Sequence, residues 1–100
     1  MILVRDVFRL KFGKAKEAKA LMKEGTQVAR KAGGAPDRVL VDLVGPYYTL
    51  VLESTHQGLA AWESSMGSEM AAQEMAVWYE RFKPLVESGY REIFTVLEEA

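Results

Sequence analysis

Apolar and polar residues alternate from the start of the chain. Ile2, Val4, Phe8, Leu10 and Phe12 fall on one side, with Asp6 the exception, while Leu3, Arg5, Val7, Arg9 and Lys11 fall on the other. This period of two predicts a strand from Met1 to Phe12, broken at Gly13. The period then lengthens. Ala18, Leu21, Met22, Gly25, Val28, Ala29 and Ala32 recur at spacings of three and four with lysines opposite them, which predicts a helix over about Lys14 to Ala32. Gly25 costs about 1 kcal/mol of helix propensity against alanine, so it is expected to admit a close approach of the sheet. Gly33-Gly34 supplies a left-handed stop, and Pro36 forbids continuation.

The stretch VLVDLVGPYYTLVLE, Val39 to Glu53, reads as two strands about a Gly45-Pro46 turn. Neither strand has a polar face, as a hairpin lying on one core should. Val39, Val41 and Leu43 point one way and Leu40, Asp42 and Val44 the other; Tyr47, Thr49 and Val51 oppose Tyr48, Leu50 and Leu52. The adjacent tyrosines must face opposite ways, one toward the core and one toward a rim or interface. Ser54 with Gln57 reads as a capping box that starts a short helix bearing Leu59, Trp62 and Met66 on one face. Gly67 interrupts it, and Ser68 caps a second helical piece to about Glu87, with a stripe of Ala71, Met75, Trp78, Phe82 and Leu85. Pro84 should kink or loosen the last turn, and Ser88-Gly89 ends it. A last strand runs from Tyr90 to Leu97.

The order strand, helix, strand, strand, helix, strand, with no linker or repeat, predicts one domain over residues 1–100. Two interleaved strand-helix-strand units give an α+β, ferredoxin-like βαββαβ fold: a four-stranded antiparallel sheet with both helices on one face. The other face carries Leu3, Val7, Leu40, Val44 and Val51 among Arg5, Arg9, Asp42, Thr49 and Glu53. Leaving such side chains in water forfeits about 1.5–3 kcal/mol each, and a patch of that kind marks an interface. A second copy packed face to face would bury it symmetrically, so a homodimer through the open sheet face is expected.

Composition narrows the chemistry. The chain has 100 residues, 49% hydrophobic and 27% charged, which is ordinary for a globular domain and argues against disorder. A net charge of -1 gives no reason to expect nucleic acid or an anionic membrane as partner. No apolar run approaches a membrane span, and the charges within MILVRDVFRLKF exclude a signal peptide. The absence of cysteine removes disulfides, zinc ribbons and thiol nucleophiles and is compatible with a cytoplasmic location. Asparagine is absent too, in keeping with a thermophilic source. There is no glycine-rich phosphate loop, Ser-His-Asp arrangement or paired-carboxylate motif, and no catalytic residue, metal site or cofactor is assigned.

The succession of elements resembles the dimeric α+β-barrel superfamily, whose members pack two ferredoxin-like sheets face to face. Within it, MAVWYERFKPLVESGYREIFTVLE, Met75 to Glu98, is similar to the last helix and strand of NIPSNAP-like domains. Those show an aromatic-rich helix, a Phe-x-Pro-Leu close and a terminal strand with an arginine near its start, here Trp78, Tyr79, Phe82, Pro84, Leu85 and Arg91. The resemblance implies a dimer and no agreed enzymatic activity. Superfamily relatives include cofactor-free monooxygenases, haem-degrading monooxygenases and small-molecule isomerases. The haem-degrading group relies on Asn, Trp and His; this chain lacks asparagine, and its one histidine, His56, precedes the helix that would face the haem.

Six residues are candidates for ligand binding: Arg5, Asp42, His56, Trp62, Trp78 and Tyr79. His56 could serve as a base or metal ligand; the simpler reading is an exposed first-turn residue, since one His without a second His or Cys makes a poor metal site. Trp62, Trp78 and Tyr79 could line a pocket for a flat apolar or aromatic molecule, while the tryptophans also fall where they would fill core. Arg5, Arg9, Asp42, Glu53 and Glu92 could bind an acidic molecule inside the dimer or neutralise one another there. The sequence thus favours a homodimer with a small-molecule-binding or interaction role, and after it a cofactor-independent monooxygenase or isomerase.

Overall fold

The computed structural model describes residues 1–66 and 69–99, and of residues 69–72 the backbone alone. Four strands and three helices follow one another: β1 (Ile2–Leu10), α1 (Ala15–Lys31), β2 (Arg38–Val41), β3 (Thr49–His56), α2 (Leu59–Ser65), α3 (Glu69–Phe82) and β4 (Val86–Thr95), with a 3₁₀ turn at Lys83–Leu85 before the last strand. The strands form one antiparallel sheet in the order β2-β3-β1-β4. This is the expected ferredoxin-like α+β arrangement. The Cα extents of 37 × 35 × 18 Å fit one helical layer on one sheet, with the opposite sheet face open.

The alternation of β1 decides what each face carries. Leu10 meets Leu50 of β3 and Leu21, Met22, Trp78, Phe82 and Leu85 of the helical layer in one buried cluster, and Phe8, partly buried, packs against it. The rings of Phe8 and Phe82 meet edge to face at 5.4 Å. Tyr48 packs on this cluster while Tyr47 is exposed, so the two tyrosines divide as their alternation requires. Helix α1 ends as Gly33-Gly34 predicts: Gly33 takes a φ of 80°, its amide donates to Arg30, and the Gly34 amide donates to Ala29.

Several boundaries differ from the sequence reading. Strand β1 ends at Leu10, leaving Phe12 exposed against Tyr48. Strand β2 ends at Val41, so Val44 leaves the open face for the hairpin loop, where Leu43 and Val44 are 98% and 93% exposed. Asp42 closes that loop, its carboxylate accepting the Thr49 amide at 2.8 Å. No capping box forms at Ser54, because β3 runs on to His56 opposite Ile2 and α2 starts after Gly58. At the other end α3 stops at Phe82, Pro84 sits in the 3₁₀ turn, and β4 begins at Val86 rather than Tyr90. Ser88-Gly89 is therefore strand: Gly89 pairs with Phe8, and a Cβ there would lie 3.0 Å from Phe8 Cδ1. The expected break at Gly67, the cap at Ser68 and the side chain of the stripe position Ala71 lie outside the described residues.

The open face has an order of its own. Arg38, Glu53, Arg5 and Glu92 stand side by side across β2, β3, β1 and β4. Glu53, 7% exposed, accepts from Arg5 Nε at 3.2 Å and from Arg38 Nε at 3.0 Å, and Arg5 also lies 3.5 Å from Glu92. Beside this row runs an apolar one, Leu40, Val51, Val7 and Tyr90. Val7 and Val51 are buried between neighbours, whereas Tyr90 and, farther along β4, Phe94 remain 58% and 46% exposed. No described helix is long and apolar enough to cross a membrane.

Candidate functional site

Between the helices and the sheet lies a pocket of about 300 Å³, at the lower end of the range for small-ligand sites. Its existence follows from side-chain size. Where α1 lines it, the residues are Met22 and the short Gly25, Thr26 and Ala29. Trp78 and Met75 of α3 form a second wall, and Trp62 and Ser65 of α2 with Met66 just after it a third. The floor is the helix-side face of the sheet, with Val4, Asp6, Leu52, Ser54, His56 and Arg91.

Trp78 is both core and wall. Its ring stacks on Phe82 at 4.8 Å and 15°, and its indole nitrogen donates to the Leu21 carbonyl at 2.7 Å. The ring packs against Gly25, where a Cβ would come within 2.5 Å of it. The close approach that Gly25 allows is thus to α3 rather than to the sheet.

The polar groups come as two pairs. Asp6 on β1 faces Arg91 on β4, and Arg91 Nε donates to Asp6 Oδ1 at 2.5 Å. The same guanidinium carbon stands 5.0 Å from the centre of the Trp62 ring, a cation–π contact that ties α2 to the sheet. On β3, His56 Nε2 and Ser54 Oγ share a hydrogen bond of 2.9 Å. The remaining hydroxyls donate locally, Thr26 to the Lys23 carbonyl at 3.0 Å and Ser65 to the Trp62 carbonyl at 2.7 Å. Among the described residues no group of three His, Asp or Glu side chains is placed to hold a metal ion.

Of the six candidates from sequence, His56, Trp62 and Trp78 come together here. Tyr79 points to the outer side of α3, exposed, with the Lys83 ammonium 5.8 Å from its ring. Arg5 belongs to the charged row on the open face, and Asp42 to the hairpin loop. Asp6 and Arg91 are the polar members that sequence reasoning did not single out for the site. Asp6 carried a signal, as the one charge on the apolar side of β1. Arg91 is 85 positions away; it stands out in the sequence only as the arginine of the terminal-strand motif, and nothing there ties it to Asp6, since only the β1–β4 register joins them.

The chain matches no protein-family model, and no curated protein matches its sequence. Solved structures do match. A NIPSNAP family protein from Agrobacterium tumefaciens is 21% identical, with a TM-score of 0.83 over 94% of this chain and 90% of that one. An uncharacterised NIPSNAP domain protein from Burkholderia xenovorans is 14% identical, with a TM-score of 0.82 over 96% and 94%. A variant of SnoaB, a cofactor-independent oxygenase from Streptomyces nogalater, is 11% identical, with a TM-score of 0.64 over 98% and 94%. At such identities the likeness is one of fold: the chain has the ferredoxin-like architecture of these NIPSNAP proteins and of the oxygenase.

Proposed function

We propose that the protein is a homodimeric small-molecule-binding domain, with a flat, largely apolar ligand held between its helices and its sheet. The observation that carries this reading is the pocket of about 300 Å³ beside two tryptophans, with His56 and the Asp6–Arg91 pair on its floor. Apolar walls with a few convergent polar groups are what small-ligand sites are made of. Dimerisation is supported by the row of Leu40, Val51, Val7 and Tyr90 on a sheet face that no described element covers. Native mass spectrometry of the protein purified from its own host tests both parts. The expected species has twice the 11.2 kDa chain mass plus a retained small molecule; an unliganded single chain at micromolar concentration contradicts the proposal.

A cofactor-independent oxygenase or isomerase is the second reading, favoured by the fold shared with SnoaB and by an imidazole facing the same pocket. His56 could then take a proton from a bound carbon acid. Solvent deuterium exchange into a flat 1,3-diketone, faster than in buffer and lost in His56→Gln, supports it; exchange no faster than in buffer removes it.

A further inference from the structure

We infer that the pocket takes a flat aromatic acid, its ring against Trp62, Trp78 and Met75 and its carboxylate on the terminal nitrogens of Arg91. The inference rests on the binding role proposed above and narrows it to one ligand class.

The argument is an inventory of donors. The Trp78 indole N–H is committed to the Leu21 carbonyl, and the Thr26 and Ser65 hydroxyls are committed to carbonyls of their own helices. Among the described lining residues, donors remain on Arg91, whose bond to Asp6 uses Nε, and on one member of the His56–Ser54 pair, the imidazole tautomer deciding which. Both suit a ligand oxygen. Only the guanidinium offers a planar fork, which matches a carboxylate in two parallel bonds. Asp6 on one edge and the Trp62 ring at 5.0 Å on one face hold that fork in place before a ligand arrives. The rest of the wall is aromatic, thioether and aliphatic, which accommodates a flat ring system by area and by contacts to sulfur and π-faces.

The test compares two probes of equal shape, 2-naphthoate and 2-naphthamide, by isothermal titration calorimetry on the full chain at neutral pH. The acid is expected to bind at least tenfold more tightly than the amide. Arg91→Gln is expected to bring the acid-to-amide ratio within about threefold, and Arg91→Lys to leave it intermediate, because charge without the planar fork recovers part of the effect. Equal binding of acid and amide to the native protein overturns the ligand class while leaving the pocket as a binding site. A preference that survives in folded Arg91→Gln overturns the role of Arg91. Binding of neither probe overturns both this inference and the binding role beneath it.

Discussion

A Cβ on Gly25 would lie 2.5 Å from Cε2 of Trp78 and 2.7 Å from its Nε1, the atom that donates to the Leu21 carbonyl. Helices α1 and α3 therefore touch through a side chain on one and bare backbone on the other. The contact fixes one wall of the pocket, and the two halves of it cannot be altered independently.

Gly25→Ala sets helix propensity against packing. The substitution gains about 1 kcal/mol of propensity in an exposed helix, but the methyl group must displace a buried indole, and overpacking costs about 1–3 kcal/mol. A net loss is expected, read as a lower urea midpoint with an unchanged m-value. Gly25→Ala combined with Trp78→Leu should lose less than the sum of the two single changes.

Glu53 is shared by two guanidiniums on the open face. Replacing it with Gln removes the anion that Arg5 and Arg38 share and leaves Arg5 with Glu92, 3.5 Å away. Breaking a fully buried pair costs about 3–5 kcal/mol, but both arginines reach solvent, so a loss of about 1–3 kcal/mol is expected by chemical denaturation. Arg38→Gln, removing the more exposed partner, should cost less than Arg5→Gln.

Gly33 and Gly34 separate two effects of adding a methyl group. At Gly33, with φ of 80°, nothing lies within 4 Å, so alanine costs backbone strain alone, about 1–2 kcal/mol. At Gly34 the new Cβ would come 2.9 Å from the Ser65 carbonyl oxygen, so α2 must shift. Hydrogen exchange of the α2 amides should speed up in Gly34→Ala and stay near native in Gly33→Ala.

Tyr90 stands at the end of the apolar row on the open face and is more than half exposed in the single chain. A lysine there leaves the subunit core untouched and places a charge in the proposed dimer contact. Tyr90→Lys should weaken dimerisation at least tenfold in sedimentation experiments, with thermal stability at matched monomer content little changed.

The parts of this structure that were legible in the sequence rest on periodicity and on local chemistry. The face assignment of β1, the stripe of α1 and the Gly33-Gly34 stop are of that kind, and so is the order of elements. The misplacements arose where pairing overrode a local signal. Ser54 and Gln57 look like a helix cap, yet pairing with β1 keeps Ser54, Thr55 and His56 in strand. Ser88-Gly89 looks like a stop, yet β1 supplies partners there too, and the missing side chain of Gly89 makes room for the Phe8 ring. The site was half legible for the same reason. Trp62 and Trp78 announce themselves by size and spacing, but the Asp6–Arg91 pair exists only once the register of β1 on β4 is set.

The most direct measurement is a crystal of the protein grown with 6-bromo-2-naphthol, with the bromine located by its anomalous scattering. The account predicts a bromine peak between α1, α3 and the sheet, beside Trp62 and Trp78, in every subunit. A filled, ligand-free space at that position, with bromine absent or only on the outer surface, would contradict it.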